Sequence, residues 1–529
     1  MTRPVPKLFG WGFEGDDLTD DEQRMLRSRA AERYGPRDFD EVAVPSISDI
    51  ALSRPRVDLP AKLQSVATTA DHERILHTYG MSFPEYIRIL DKDFANAPDI
   101  VAYPESDSDI ADIFDWASGA NVAVIPFGGG TSVVGGLEPV VGDGYAGTLS
   151  LNLTRLDQVL EIDKTCRTAR IQGGIRVPAL EAALKSDGLT LRHFPQSMAM
   201  ATLGGMIATR SGGHFATLYT HIDDFVESLR TVTPVGVMES RRLPGSGAGP
   251  SPDRLMIGSE GALGVITEAW MRLQDRPTFR AGGSIMFADY VKAAEAVRII
   301  CQSGLYPSNV RLLDAGEAEN NGFGDGRHAV LVLAFESADH LLDPWMARAM
   351  EICRDHDGVP EGEMAGDSHR EGSAGAWRHA FIRMPHYRSL TIRMGMISDT
   401  FETAITWDRF PSFHEKVMAA THAAIEEATG QPGTVTCRFT HCYPDGPAPY
   451  YSFQALGRQG QLSEQWLHIK SKGLDAAVDN GGTVTHHHAV GRDHMPWYRR
   501  QRPELFGAAL RGAKKELDPA GILNPGVVV

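Results

Sequence analysis

The sequence predicts an α+β fold of two domains that follow a helical N-terminal extension. Strand and helix patterns alternate from Asp93 onward, and a second alternation begins after residue 276. With 529 residues, 42% hydrophobic and 23% charged, the chain can form more than one packed core and is too apolar to be disordered. We expect the extension at 1–92, the first domain at 93–275, the second at 276–455 and a C-terminal segment at 456–529.

The first domain begins with short α and β patterns in alternation. Residues 107–120 place four apolar side chains on one helical face, and the apolar run at 121–127 then predicts a strand. A second helix is expected from about Pro178, a favoured first-turn residue, to Gly188, where a left-handed cap costs little. The stretch 240–254, rich in Gly, Ser and Pro, predicts an exposed loop.

The second domain has its own order of elements. Strands are predicted at 282–288, 309–314 and 328–336, and helices at 289–304 and 341–358. This order of strand, helix, strand, strand and helix indicates a separate antiparallel α+β domain.

Charge and cysteine content exclude several classes of protein. Fifty-two Lys and Arg residues against 68 Asp and Glu residues give a formal charge of −16, which repels nucleic acid. No stretch approaches the roughly 20 consecutive apolar residues of a membrane span, and the first residues lack the apolar core of a signal peptide. The five cysteines show no CxxC pair, so we expect reduced thiols in an intracellular, soluble protein.

A glycine-rich loop overlaps the end of the predicted strand at 121–127. It consists of Pro126, Phe127, Gly128, Gly129, Gly130, Thr131 and Ser132. Glycines allow positive φ angles and let successive N–H groups converge on an anion, and the two hydroxyls add donors. The loop lacks the Lys of a Walker motif and the last glycine of a Rossmann GxGxxG motif. Alone it is compatible with a phosphate site or with an ordinary glycine turn.

Three further segments, rich in Gly and hydroxyl residues, would let a long dinucleotide lie against several backbone turns. They comprise Gln196, Ser197, Met198, Ala199, Met200, Ala201 and Thr202; Thr209, Arg210, Ser211 and Gly212; and Glu260, Gly261, Ala262, Leu263, Gly264, Val265 and Ile266. In their order and their residues, the four segments resemble the FAD-binding domain of the vanillyl-alcohol oxidase type of flavoprotein, whose loops have the sequences PxGGGTS and EGxLGVIT. The resemblance implies a PCMH-type FAD domain that binds FAD through these residues, with the second domain as an α+β cap over the substrate.

His214 ends an RSGGH sequence that imitates a motif for covalent flavin attachment. It lies far downstream of the first loop, where such relatives carry the attachment histidine. We therefore expect non-covalent FAD.

Three consecutive histidines, His486, His487 and His488, follow the glycines at 481–482. In an extended segment His486 and His488 would point one way and His487 the other, so at most two could reach one ligand directly. The residues alone leave three interpretations open: partly exposed loop histidines, a metal site that needs further ligands, or acid-base and anion-binding chemistry near neutral pH.

These histidines, with motifs along nearly the whole chain, resemble the alkylglycerone-phosphate synthase family. The shared stretches include the HHHAVG loop, VRLLD at 310–314, FETAITWDR at 401–409 and CRFTHCYPDG at 437–446. The resemblance implies exchange of the acyl chain of acyl-dihydroxyacetone phosphate for a long-chain alcohol, which forms an ether lipid precursor without net oxidation. It also implies a substrate adduct at flavin N(5), and we expect no bound metal.

The same resemblance assigns a role to each residue of the candidate site. Catalytic roles fall to Tyr450, His486, His487 and His488, and substrate-binding roles to Arg388 and Arg311. The planar fork of arginine suits a phosphate group. By their chemistry alone, Tyr450 could be a core aromatic residue and Arg388 half of an ion pair.

Substrate identity stays open, because Gln196, Ala448 and Ala489 depart from the family's pattern. The main alternative is an FAD-dependent D-2-hydroxyacid dehydrogenase, although HCYPDGPAPY at 441–450 and HHHAVG stand in place of the HxGDGNxH and GEHGIG motifs of those enzymes. A flavin-binding protein without catalysis is a further alternative. With no recognisable peroxisomal address at either end, we expect a cytoplasmic protein. We also expect a homodimer and peripheral membrane contact.

Overall fold

The computed structural model describes residues 4–37, 39, 41–322, 324–361 and 372–529, the side chains of 372–382 excepted. The N-terminal segment is mainly helical. It contains α1 (Asp20–Tyr34), β1 (Ala67–Thr68), α2 (Asp71–Leu76) and α3 (Phe83–Leu90). Because β1 pairs with the first strand of the next domain, this segment is joined to that domain's sheet.

Two main sheets form the first domain. The first half contains β2 (Ile100–Ala102), α4 (Asp107–Ala120), β3 (Val122–Phe127) and β4 (Gly147–Asn152), and its sheet has the order β1-β2-β4-β3. The second half contains β5 (Val159–Asp163), β6 (Thr168–Gln172), α5 (Val177–Lys185), β7 (Leu189–Thr190), α6 (Leu203–Ala208), β8 (Val226–Thr233), β9 (Gly236–Glu239), α7 (Pro252–Met256), β10 (Val265–Arg272) and β11 (Gln274–Asp275). Its antiparallel sheet has the order β5-β6-β10-β8-β9.

The two helices that the sequence predicts in this domain are confirmed. In α4 the four apolar side chains of the predicted face are buried, and the Ser106 hydroxyl accepts a hydrogen bond from the Asp109 N–H at the helix start. In α5, Pro178 lies in the first turn, and Gly188, just beyond the helix, has a φ of +72°.

The second domain is a seven-stranded antiparallel sheet with helices. Its elements are β12 (Phe279–Phe287), α8 (Tyr290–Gln302), β13 (Asn309–Leu313), α9 (Ala315–Asn320), β14 (Ala329–Ser337), α10 (Asp343–Asp355), β15 (Val359–Pro360), α11 (Gly372–Arg393), β16 (Met396–Glu402), α12 (Phe410–Thr429), β17 (Thr434–Cys442) and β18 (Pro447–Leu456). The strand order is β15-β12-β14-β13-β17-β18-β16, and each pairing is antiparallel.

Alternation along the strands gives this sheet two different faces. Phe401, Phe439 and Phe453 point into the largest apolar core, with side chains of α12 and of α13 (Leu462–Asp479). Residues of the opposite parity line a cavity toward the first domain. Among the described residues, every helix is too short or too polar to span a bilayer.

The C-terminal segment returns to the first domain. After α13 come α14 (Met495–Gln501) and α15 (Glu504–Leu517). The Val124 N–H then donates to the Ile522 carbonyl at 2.7 Å, and the Asn524 N–H donates to the Val124 carbonyl at 2.9 Å. The chain end therefore lies along β3, directly before the glycine-rich loop.

Candidate active site

One cavity of about 700 Å³ lies between the two domains and is bordered by all four glycine-rich segments. Of the predicted cofactor-binding residues, those that line it are Pro126, Phe127, Gly128, Gly129, Gly130, Thr131, Ser132, Gln196, Ser197, Ala201, Thr202, Thr209, Ser211, Gly212, Glu260, Gly261, Gly264, Val265 and Ile266. The side chains of the other six lie outside the lining. Met200, Ala262 and Leu263 are buried in packing, Met198 and Ala199 lie on a turn, and Arg210 faces the Asp223 carboxylate, with Nε 3.0 Å from Oδ2.

The first two segments touch each other through glycine. A Cβ on Gly129 would lie 2.1 Å from the Met200 carbonyl oxygen, and one on Gly128 would lie 2.4 Å from Thr202 Oγ1. Gly130 has a φ of +71°, which favours glycine. The N–H groups of 128–131 donate no hydrogen bond to the described part of the chain, so they are available to an anion. These loops fit the pyrophosphate of a dinucleotide such as FAD.

His214 lies beside this cavity without lining it. Its ring packs between Phe194 and Phe215, with ring centroids 5.0 and 4.3 Å away. Burial lowers the pKa of His214 well below its usual range. This position offers no support for a bond from His214 to FAD, and non-covalent attachment stays a prediction.

The histidine loop wraps around the buried carboxylate of Glu402, the last residue of β16. The N–H of His486 donates to Oε2 at 2.6 Å, and those of His487 and His488 donate to Oε1 at 3.0 and 2.9 Å. The Thr485 hydroxyl donates to Oε1 at 2.6 Å. Four donors from four successive residues therefore converge on one side chain, a strong arrangement because the acceptor is charged.

A second carboxylate holds the residues that follow the histidines. The Glu260 side chain accepts hydrogen bonds from the N–H of Val490 at 2.8 Å and of Gly491 at 2.9 Å. Burial raises the pKa of Glu260 to about 7, against the effect of these two bonds. The segment 485–491 is thus fixed by Glu402 of the second domain and by Glu260 of the first.

Protonation states in the loop are set by burial. Burial lowers the pKa of His487 to about 3 and that of His488 to about 4, so both rings are neutral at pH 7. Burial by itself would raise the pKa of Glu402. The adjoining histidines and the Thr485 hydroxyl outweigh burial and hold this pKa well below its usual range. Where the rings are neutral, the backbone donors keep the carboxylate ionised.

The prediction that His486 and His488 share a face is wrong. The loop bends around Glu402 instead of running extended, so His487 and His488 both line the cavity. The Tyr450 ring lies 6.1 Å from the His487 ring and 5.4 Å from the His488 ring. His486 turns away, with Nε2 2.6 Å from the Tyr443 hydroxyl.

Tyr450 lies on β18 at the cavity. Its hydroxyl is 3.0 Å from Thr400 Oγ1, and the Arg438 guanidinium lies 4.0 Å from the centre of its ring. Burial raises the pKa of Tyr450, so its hydroxyl remains protonated at neutral pH. The hydroxyl can therefore donate a proton beside two neutral imidazoles.

The two predicted substrate arginines both line the cavity but differ in their partners. Arg388 donates to the Asp399 carboxylate at 2.9 Å and to the carbonyls of Ser398 and Met81 at 3.0 and 3.3 Å. Arg311 donates to the carbonyls of Thr440 and His214. Burial and Arg438 lower the pKa of Arg311 to about 10, which leaves it charged at neutral pH. Arg388 is thus half of an internal ion pair, and Arg311 is held in part by two backbone carbonyls.

Several site residues escaped the sequence analysis. Glu402 and Arg438 lie within stretches that carry the family resemblance, but their residue types alone did not indicate a role in the site. Lys470 lines the cavity from α13, with Nζ 2.6 Å from the Thr400 carbonyl. Period-two alternation from Tyr450 and Arg438 could have identified the polar face of the sheet, whereas the proximity of Lys470 required the fold.

Histidine nitrogens also come close enough for a shared ion. Atoms of His441, His486 and His487 lie within 4.8 Å of one another. The two ring nitrogens of His441 are already 3.1 Å from Thr440 Oγ1 and 3.0 Å from the Gly213 carbonyl. A metal would have to displace one of these bonds, and the absence of metal stays a prediction.

The comparisons with known proteins agree with this architecture. Residues 98–240 match the FAD binding domain, and 276–528 match the domain described as FAD linked oxidases, C-terminal domain. An alkyldihydroxyacetonephosphate synthase of Dictyostelium discoideum is 29% identical over 478 residues, which cover 85% of this chain and 76% of that protein. The glycolate oxidase subunit GlcD of Bacillus subtilis is 26% identical over 444 residues, 82% of this chain and 89% of that one. A solved alkyldihydroxyacetonephosphate synthase structure superposes with a TM-score of 0.81, at 25% identity and 98% coverage of both chains.

The two domains and the glycine-lined cavity between them define a flavoprotein of the PCMH-type fold, with FAD as its cofactor. Within that class, the chain is similar over most of its length to alkyldihydroxyacetonephosphate synthases.

The close packing of the glycine-rich loop at 126–132 against the segment at 196–202 predicts that the Gly129→Ala variant loses FAD. The added methyl would collide with the Met200 carbonyl and push the loops apart. Gly144→Ala is the matched control, because the space around that position is open. The flavin-to-protein absorbance ratio of the purified variants is the measurement. Full FAD occupancy in Gly129→Ala would show that the close approach is dispensable.

Glu402→Gln is expected to lower turnover roughly tenfold or more, because an amide offers a neutral acceptor and places a donor against converging N–H groups. FAD content should be unchanged, since Glu402 is not among the glycine-rich segments. Glu427→Gln, an exposed partner of His468, serves as control. Unchanged turnover in Glu402→Gln would contradict the role of its charge.

The buried neutral histidines predict that the folded protein loses stability in acid. Burial lowers the pKa of His193 and His487 to about 3 and of His414, His488 and His494 to about 4. Below about pH 6.5 the unfolded chain takes up protons that the folded chain cannot, at about 1.4 kcal/mol per histidine and pH unit. Buried Glu85, Glu260 and Asp314, whose pKa burial raises to about 7, gain protons on folding and oppose part of this loss. The free energy of unfolding, measured by urea denaturation, should still fall from pH 6.5 to about 4.5, and a rise over this range would contradict the dominance of the histidines.

Proposed function

We propose that this protein exchanges the acyl chain of an acyl-dihydroxyacetone phosphate for a long-chain alcohol and so forms an ether without net oxidation. The observation that carries the proposal is the grouping of Tyr450, His487 and His488 at the wall of a cavity that FAD-binding loops border. The similarity of the chain to alkyldihydroxyacetonephosphate synthases supports the same reaction.

The residues suit the proton transfers that this exchange requires. A neutral imidazole of His487 or His488 can accept the proton α to the ketone, and the protonated Tyr450 hydroxyl can donate to the departing carboxylate. Bound FAD would supply the isoalloxazine ring that takes part in the exchange. The protein's own task is to orient the substrate and to move protons at these three side chains.

Positive charge beside this group suits the phosphate of the substrate. Arg311 and Arg438 are buried at the cavity, and Arg438 also pairs with the Glu317 carboxylate. Lys470 approaches from α13, with its Nζ 3.3 Å from the Asp399 carboxylate. Charge-assisted hydrogen bonds to phosphate are strongest where water is excluded. We propose Arg311 as a phosphate ligand, because it is buried at the cavity and stays charged at neutral pH.

The alternative is oxidation of a D-2-hydroxy acid, as in FAD enzymes of the same architecture. The close nitrogens of His441, His486 and His487 favour it, since a metal there could polarise a hydroxyl, and so does the similarity to the glycolate oxidase subunit GlcD. The hydrogen bonds of His441 weigh against it. Cytoplasmic location, a homodimer and peripheral membrane contact remain proposals that the sequence suggested.

The test is an assay of the yellow protein with palmitoyl-dihydroxyacetone phosphate and hexadecanol, beside D-2-hydroxy acids with a dye acceptor. We expect ether product without net flavin reduction. Tyr450→Phe and His487→Ala should each lower turnover by roughly 100-fold or more while FAD stays bound. Tyr451→Phe, which removes a hydroxyl on the opposite face of β18, is the control. Dye reduction without ether would overturn the proposal in favour of the oxidase.

A further inference from the structure

A chain of hydrogen bonds leads from His487 at the cavity wall toward the surface of the protein. His487 Nδ1 lies 3.0 Å from His486 Nδ1, and His486 Nε2 lies 2.6 Å from the Tyr443 hydroxyl. That hydroxyl is in turn 3.0 Å from Thr220 Oγ1 and 3.4 Å from His221 Nδ1. Five polar side chains from three separate segments are therefore joined in one line.

The outer end of this line reaches solvent. Tyr443 and His221 are each partly exposed, and the two residues that follow Tyr443 are exposed. Neither Tyr443 nor His221 lines the cavity, so their exposed surface does not belong to it. His487, by contrast, is part of the cavity wall. The hydrogen bonds thus connect the cavity with the surface of the protein.

The partners of each ring determine which way its protons point. His221 Nε2 lies 2.8 Å from the His486 carbonyl, to which it can only donate, so neutral His221 presents Nδ1 as an acceptor. The Tyr443 hydroxyl then donates outward, toward Thr220 and His221. It accepts from the Nε2–H of His486, whose Nδ1 is left as an acceptor for the Nδ1–H of His487. All donors point outward along the line, as proton transfer in that direction requires.

Burial keeps the links of this line neutral. It lowers the pKa of His486 well below its usual range and raises the pKa of Tyr443. A neutral imidazole and a phenol each have one donor and can each accept a hydrogen bond. Each link can therefore receive a proton on one side while it releases another on the opposite side.

The same line removes an obstacle to His487 as a base. Burial lowers its pKa to about 3, so a charged ring is costly at this position. A ring that releases its Nδ1 proton while Nε2 receives one never holds that charge. The Glu402 carboxylate, 3.4 Å from His487 Nδ1, is a poorer acceptor, because the adjoining histidines hold its pKa well below the usual range despite burial. The His488 ring makes no hydrogen bond within the described part of the chain, so it has no comparable path to solvent.

We propose that His486, Tyr443, Thr220 and His221 form a proton relay that serves His487 as the base of the exchange reaction. When His487 Nε2 takes the proton α to the ketone, the C–H electron pair stays on the carbon and the Nδ1 proton moves to His486 Nδ1. The Nε2 proton of His486 then moves to the Tyr443 oxygen, and the Tyr443 proton moves to Thr220 or His221 and on to water. The reverse sequence returns a proton to Nδ1 when Nε2 gives its proton back to the carbon. The inference rests on the proposed function and gives the consecutive histidines different roles.

Tyr443→Phe tests the relay, because it removes the hydroxyl and keeps the ring beside His486, at a centroid distance of 5.7 Å. In ether formation kcat should fall roughly tenfold. FAD content and KM should not change, since Tyr443 lies outside the cavity lining. Tyr451→Phe is the matched control, because its hydroxyl also lies beside a histidine nitrogen, 3.3 Å from His414 Nδ1, but in the second domain. Full turnover in Tyr443→Phe would overturn the relay.

A second variant separates proton transfer from a merely structural hydrogen bond. Tyr443→Ala opens a space beside His486 that added phenol or anisole can fill. Phenol can accept from His486 and donate onward, whereas anisole can only accept. We expect phenol to restore turnover and anisole to leave it low. Equal effects of the two compounds would overturn the relay.

Exchange of ring N–H protons with water tests the relay without substrate, by NMR of the FAD-loaded protein carrying isotope-labelled histidine. The Nδ1 proton of His487 should exchange roughly tenfold more slowly in Tyr443→Phe than in the wild type or in Tyr451→Phe, because only local opening would remain. Slowed exchange without ether formation by the wild type would overturn the proposed function and uphold the relay. Ether formation with unchanged exchange would overturn the relay and uphold the proposed function. A metal ion bound to His486 in the purified protein would also overturn the relay, since both nitrogens of that ring belong to it.

Discussion

The geometry of the active site depends on the buried carboxylate of Glu402. A carboxylate removed from water must be bonded on most sides, and here four donors from residues 485–488 meet that requirement. The bend that brings these donors together determines where the histidine side chains point. His487 and His488 consequently reach the cavity on one side of the loop, and His486 reaches Tyr443 on the other.

The same segment joins the two domains. Glu402 ends a strand of the second domain, Glu260 belongs to a loop of the first, and the backbone between 485 and 491 is bonded to both. Glu260 in turn is linked to the chain end, because the Asn524 side chain donates to its carbonyl at 2.7 Å. One connected set of hydrogen bonds therefore joins a glycine-rich segment of the cavity, the histidine loop and the C-terminal segment.

The sequence predicted the fold and the cofactor loops well because both depend on local patterns. Apolar spacing identified α4, and glycine with hydroxyl residues identified the loops that border the cavity. The direction of the three histidines could not be predicted, since it depends on a carboxylate some 80 residues away in sequence. The ion pair of Arg388 with Asp399 was foreseen only as an alternative, because side-chain partners are set by packing between elements.

The central claim is that Glu402 acts through the histidine loop and has no separate catalytic role. A multiple-mutant comparison tests it directly, with single-turnover ether formation measured in His487→Ala/His488→Ala, with and without Glu402→Gln. The account predicts that adding Glu402→Gln to the histidine variant changes the residual rate by no more than about twofold, since the groups that it positions are already absent. A further loss as large as that of Glu402→Gln alone would contradict the account.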